Sequence, residues 1–163
     1  MNIFYLGNPQ TSARELCDKH VVKMITESAQ MLCTVHWCKA NTLEKSQNLV
    51  EGLLFKPAHI NHPSTIWTRE THENYRWLLI HFITLCEEYY LRYAKYHASW
   101  TKLYDGLARF PMNIQEGGLT NFAQAMPNKY KHKNHITAYR QYMIAEKYYA
   151  KWEKGTNKPT WWK

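Results

Sequence analysis

The chain has 163 residues, the size of one domain, with 45% apolar residues and a formal net charge of +8. No apolar run approaches the roughly 20 residues that span a bilayer, and neither the 4 cysteines nor the 9 histidines fall at a zinc-binding spacing, so no membrane span, metal or other cofactor is expected. The 12 Tyr and 7 Trp of so basic a chain suit an anionic, stackable partner, DNA or a nucleotide, although a basic chain that is merely soluble fits the same numbers.

Asn2-Ile3-Phe4-Tyr5-Leu6 is a short apolar run closed by Gly7-Asn8-Pro9. It predicts an extended N-terminal arm packed on helices, and no signal peptide. Ser12-Ala13-Arg14-Glu15 matches a capping box, which would start a first helix at Ser12 and run it to about Trp37. At about 100° per residue, Cys17, Val21, Met24, Ile25, Ser28, Met31, Leu32 and Val35 share an inward face. His20, Lys23, Glu27 and Gln30 lie on another line, spaced 3, 4 and 3 residues apart. That line is either a solvated face with a Lys23–Glu27 pair worth ~0.2–0.5 kcal/mol, or a site. Four different chemistries on one line favour the site.

A shorter helix is expected over 41–55, with Leu43, Leu49, Val50, Leu53 and Leu54 inward. A loop follows over 56–63, and Pro63 suits the first position of the next helix. That helix is expected to be long, over 64–97, with Ile66, Tyr75, Leu78, Leu79, Phe82, Ile83, Cys86, Tyr89, Tyr90 and Tyr93 inward. Its first half carries Trp67, Arg69, Glu73 and Arg76. Arg69, Glu73 and Arg76 share a face, either a salt-bridged ladder or, with His62 at the same end, a phosphate-binding surface.

The stretch 99–134 has the weakest periodicity and reads as a long loop. It ends in Lys129-Tyr130-Lys131-His132-Lys133, a tract that can follow a phosphate backbone while Tyr130 stacks on a base, or can be a solvated loop. The last helix is expected over 136–152, with Tyr139, Tyr142, Met143, Ala145 and Tyr149 on its buried side and Arg140 among its cations. The adjacent Trp161 and Trp162 of the tail either dock on the core or bind a ligand. The expected architecture is all-α, a single domain over 1–163 of about four helices, with an N-terminal arm and a long loop before the last helix. The cysteines are expected as reduced core thiols of a cytoplasmic protein.

Glu15-Leu16-Cys17-Asp18-Lys19-His20 followed by Glu27 resembles the phage pyrimidine-dimer DNA glycosylase family, small helical endonucleases acting at UV dimers. The tail Pro159-Thr160-Trp161-Trp162-Lys163 is similar to that family's aromatic C-terminal segment, and the stretch 63–78 is compatible with its second helix. The chain also resembles an uncharacterised phage family carrying Asp-Lys-His-Val-Val-Lys-Met, Asn-His-Pro-Ser and Glu-Asn-Tyr-Arg-Trp segments. The glycosylase resemblance implies that an N-terminal α-amine attacks the deoxyribose C1′ and forms a Schiff base, with a glutamate assisting. Carried over, Glu27 is the carboxylate, His20 a phosphate or sugar contact, and Lys23 an alternative amine nucleophile. Asp18, Lys19, Gln30, His62, Trp67, Arg69, Glu73, Arg76, Lys129, Tyr130, Lys131, Arg140, Trp161 and Trp162 are the candidate nucleic-acid or nucleotide contacts. The sequence departs from the family at Asn2, where the family has a small residue, and at Thr26 and Gln30, where it has arginines. Two other readings use the same residues: a protein that sequesters a cyclic-nucleotide immune signal without catalysis, and a structural or interaction protein.

Overall fold

In the computed structural model, which describes residues 1–43, 45 and 52–163, the first helix starts at an Asn-Pro pair. Asn8 accepts from the Thr11 N–H at 2.7 Å, and Pro9 fills the first helical position, where an N–H would have no partner. This helix, α1 (Pro9–Arg14), stops at Glu15. The expected start at Ser12 is therefore corrected. The buried Ser12 hydroxyl accepts from the Leu6 N–H at 3.0 Å and donates to the Gly7 carbonyl at 3.2 Å, which ties the N-terminal arm to α1. Cys17 is extended, and α2 (Asp18–Lys39) begins as a separate helix of 22 residues.

Pro63 opens α3 (Pro63–Thr68) as expected, with His62 Nδ1 accepting from the Ser64 N–H at 3.2 Å. The single helix expected over 64–97 is two. Thr71 is extended, and its hydroxyl caps α4 (His72–Tyr93) by accepting from the Asn74 N–H at 3.2 Å. The buried Asn74 amide fills the break, donating to the Trp67 carbonyl at 2.8 Å and to Thr120 Oγ1 at 2.7 Å. Ala94 ends α4 in the left-handed region at φ 52°.

The stretch expected as loop over 99–134 opens with a further helix, α5 (Ala98–Leu107), and holds a 3₁₀ turn at Asn128–Tyr130. The last helix, α6 (His135–Glu146), ends before the expected 152 because the chain turns away after Glu146. Tyr139 and Met143 are buried there as expected, while Ala145 and Tyr149 are exposed. Of the expected helix over 41–55, Leu49 and Val50 lie outside the described residues. Leu54 is buried, but Leu43 is 82% exposed and residues 52–55 are not helical. Ile66 and Tyr90 are exposed as well, Tyr90 with its ring stacked on Tyr96 at 4.8 Å.

The fold is all-α. Helix α2 packs along α4 and touches α3 and α5, and α1 packs on α4. The expected inward face of α2 is buried throughout, against Tyr75, Leu78, Phe82, Leu85 and Cys86 of α4. Cys38 is exposed and the other three cysteines are buried, all as free thiols. Among the described residues no helix is long and apolar enough to cross a membrane.

One charged knot closes the end of this core. The Arg92 side chain is fully buried. Its guanidinium donates to Asp18 Oδ1 at 3.1 Å, Glu88 Oε2 at 2.9 Å and the Leu16 carbonyl at 2.8 Å. Arg92→Met is expected to destabilise the fold by about 3–5 kcal/mol, because two carboxylates then stay buried without their cation. Urea unfolding measures this, and a loss below about 1 kcal/mol would contradict the account.

Candidate active site

The site is built by the N-terminal arm lying across α2. Asn2 is buried, and its side chain fixes the arm at both ends of the amide. Nδ2 donates to the Ala125 carbonyl at 3.0 Å, and Oδ1 accepts from the Tyr139 hydroxyl at 2.9 Å. The Asn2 backbone N–H donates to Glu27 Oε2 at 3.0 Å, and the α-nitrogen of Met1 lies 3.6 Å from the same oxygen. Met1 is anchored in turn, its side chain 2% exposed and its sulfur 3.4 Å from the Thr65 hydroxyl. Lys23 Nζ approaches the other Glu27 oxygen at 3.4 Å. One carboxylate thus faces two ammonium groups and a backbone donor.

These groups line a pocket of about 150 Å³ together with Phe4, His20, Ala125, Tyr142, Lys147 and Tyr149. His20 stacks on Phe4 at 4.9 Å, and its Nε2 lies 3.0 Å from the Tyr149 hydroxyl. Its Nδ1 is buried and has no partner among the described residues. Burial, then the charges of Lys147, Lys23 and Lys19, pushes His20 down to about 4, so the ring is neutral at physiological pH. His62 stands near the arm. Burial, then the α-ammonium and His59, holds it below its ordinary value against an opposing pull from Glu27.

The structure brings His20, Lys23 and Glu27 together, as expected for one line on α2. Gln30 on the same line is half-buried and does not line the pocket. Lys19 sits at its edge, with Nζ 4.7 Å from the centre of the Tyr149 ring. Asp18 and Trp67 present no free group to a ligand. Asp18 holds Arg92 and accepts from the Glu153 N–H at 2.7 Å, while Trp67 is 2% exposed and stacked on Phe122. The Arg69 guanidinium donates to the Ile60 carbonyl. Glu73 and Arg76 pair at 3.6 Å beside a different pocket, with Pro9 and Trp77. Lys129 and Tyr130 both engage Glu146, at 3.5 and 2.6 Å, and Lys131 is exposed. In the tail, Trp161 Nε1 donates to Glu15 Oε2 at 2.6 Å, Arg140 lies over the Trp161 ring, and Trp162 packs on Trp152.

Sequence reasoning missed Asn2, Phe4, Tyr142, Lys147 and Tyr149 as pocket residues. Alternation along an extended arm could have placed Asn2 and Phe4 on one side. Nothing periodic marks Tyr149, which lies beyond the last helix. Among the described residues no cluster of metal-ligating side chains occurs.

An α-amine and a carboxylate thus meet in a small pocket that cations also line, on a basic helical fold. The sequence model of the pyrimidine dimer DNA glycosylase family matches residues 1–102, and the chain belongs to that family. Neither the curated proteins nor the solved structures give a match.

Proposed function

We propose that the protein is a DNA glycosylase/lyase that attacks the sugar of a damaged pyrimidine nucleotide with its N-terminal amine. The observation that carries this reading is the α-nitrogen of Met1 at 3.6 Å from Glu27 Oε2. Glu27 takes a proton from the α-ammonium; the freed amine nitrogen forms a bond to C1′ as the bond from C1′ to the base breaks, and the base leaves with the proton that Glu27 took. Loss of the amine proton and opening of the sugar ring then give the Schiff base. Glu27 is positioned to take protons from the amine and afterwards from C2′, so that the 3′-phosphate leaves by β-elimination. His20 is a sugar or phosphate contact, and Lys23 and Lys19 bear on the DNA backbone.

The arrangement favours the N-terminal amine over Lys23. Met1 is anchored, whereas the Lys23 side chain is 65% exposed. The Asn2 nitrogen also touches Glu27, so removal of Met1 would leave an amine on the same carboxylate. The pocket volume of about 150 Å³ falls below the roughly 300–1,000 Å³ of sites that enclose a free ligand, which disfavours sequestration of a cyclic nucleotide.

Borohydride trapping on duplexes containing an abasic site or a pyrimidine dimer tests the reading. A covalent adduct is expected, and mass analysis of the trapped peptide should place it on the N-terminal residue. An adduct on Lys23 would reassign the nucleophile. Binding of these duplexes with no adduct would sink the lyase assignment.

A further inference from the structure

The chain leaves α6 through a tight turn, Lys147–Ala150, closed by the Ala150 N–H donating to the Lys147 carbonyl at 2.8 Å. Its two corners are consecutive tyrosines with opposite fates. Tyr149 meets His20 in the pocket. Tyr148 is 88% exposed, the highest value among the exposed large apolar and aromatic side chains of the described residues. The turn is pinned on three sides. Lys147 Nζ lies 3.4 Å from the Tyr142 hydroxyl, Tyr149 is held at His20, and the next carbonyl, of Lys151, accepts from the Asp18 N–H at 2.9 Å.

A single exposed ring ordinarily needs no explanation. Tyr148 differs in two respects. A fixed turn holds its backbone out, and its ring stands edge-on to that of Tyr149 at 5.8 Å, so less freedom is lost when a planar group stacks on it than on a ring from a mobile loop. Its surroundings are also cationic: Lys147 precedes it, Lys19 stands over its neighbour Tyr149, and neither ammonium lies within ion-pairing distance of a carboxylate among the described residues. A cationic rim draws a polyanion and a ring draws a base, a pairing that suits a nucleic-acid strand. We propose that Tyr148 stacks on a base of the DNA strand next to the nucleotide whose sugar enters the pocket. This inference rests on the DNA reading of the pocket and extends it to a segment outside the residues matched by the family.

The test uses the full chain, with Tyr148→Ala and Tyr148→Phe, on a duplex carrying a reduced, unreactive abasic site flanked by 2-aminopurine. The wild type and Tyr148→Phe are expected to change the 2-aminopurine fluorescence on binding. Tyr148→Ala should abolish that change and weaken binding by about 5- to 150-fold. The dependence of affinity on salt should stay the same, because no phosphate contact is removed. A fluorescence change on binding of Tyr148→Ala equal to that of the wild type overturns the stacking role, whatever happens to affinity. If the wild type traps and binds while Tyr148→Ala behaves identically, only the stacking role falls. If the wild type neither binds nor traps, the DNA reading falls and takes the stacking role with it.

Discussion

Glu27→Gln is expected to slow formation of the borohydride-trapped adduct by about 10²–10⁴-fold, the usual contribution of a positioned acid or base. The substitution keeps shape and an acceptor oxygen for the Asn2 N–H, so the arm should stay in place. What it removes is the negative charge between the α-amine and Lys23 and the capacity to take a proton. Duplex affinity should change far less than the rate, because among the described residues Glu27 is the pocket's lone carboxylate, set among cations, and repels rather than holds a phosphate. Single-turnover trapping at saturating protein separates the two quantities. A variant that traps at the wild-type rate would remove Glu27 from the mechanism. Chemical blocking of the N-terminal amine should abolish the adduct altogether.

Acid should unfold this protein through three histidines. His20, His36 and His81 are buried, and burial pushes each down to about 4. In the unfolded chain they titrate near 6.5. Between those two values the unfolded state holds more protons than the folded one, so stability rises with pH across that range. The stabilisation is complete above about pH 6.5 and drains away as the pH falls toward 4. Each unit of depression is worth about 1.4 kcal/mol. The three losses act in the same direction, against the roughly 5–15 kcal/mol that holds a whole domain folded. Urea midpoints followed from pH 7.5 to 4.5 should fall steeply below pH 6.5. A flat profile would show that the three rings are protonated without loss of the fold.

Much of α2 could be read from the sequence, because its two faces differ in chemistry and 3.6-residue periodicity is a strong signal in a helix of this length. The same reading placed His20, Lys23 and Glu27 side by side. The start of the first helix was less legible, since Asn8 and Ser12 both satisfy a cap pattern. A tertiary contact decided between them, with the Ser12 hydroxyl bonded to the arm. The break at Thr71 depends on Asn74 reaching Thr120, 46 residues away, and local propensity cannot report such a partner. Trp67 has the composition of a stacking residue and the location of a core residue, and only packing tells the two apart. The far wall of the pocket was invisible for a related reason. Tyr149 belongs to a turn, placed by its own contact with His20 and by the Lys151 carbonyl accepting from the Asp18 N–H, both far away in sequence.

That far wall has a consequence for how the protein is made. The amine and Glu27 are synthesised within the first 27 residues, yet Ala125, Tyr142, Lys147 and Tyr149 close the pocket from positions 125–149. A nascent chain carries the N-terminal arm and Glu27 on a half-open surface until residues 125–149 have emerged, because the two walls cannot meet before then. Assembly of the site therefore needs contacts across more than 100 residues of chain, whereas α2 is built from local ones. The earlier segments can settle into their core first, and the pocket gains its far wall only with residues 125–149.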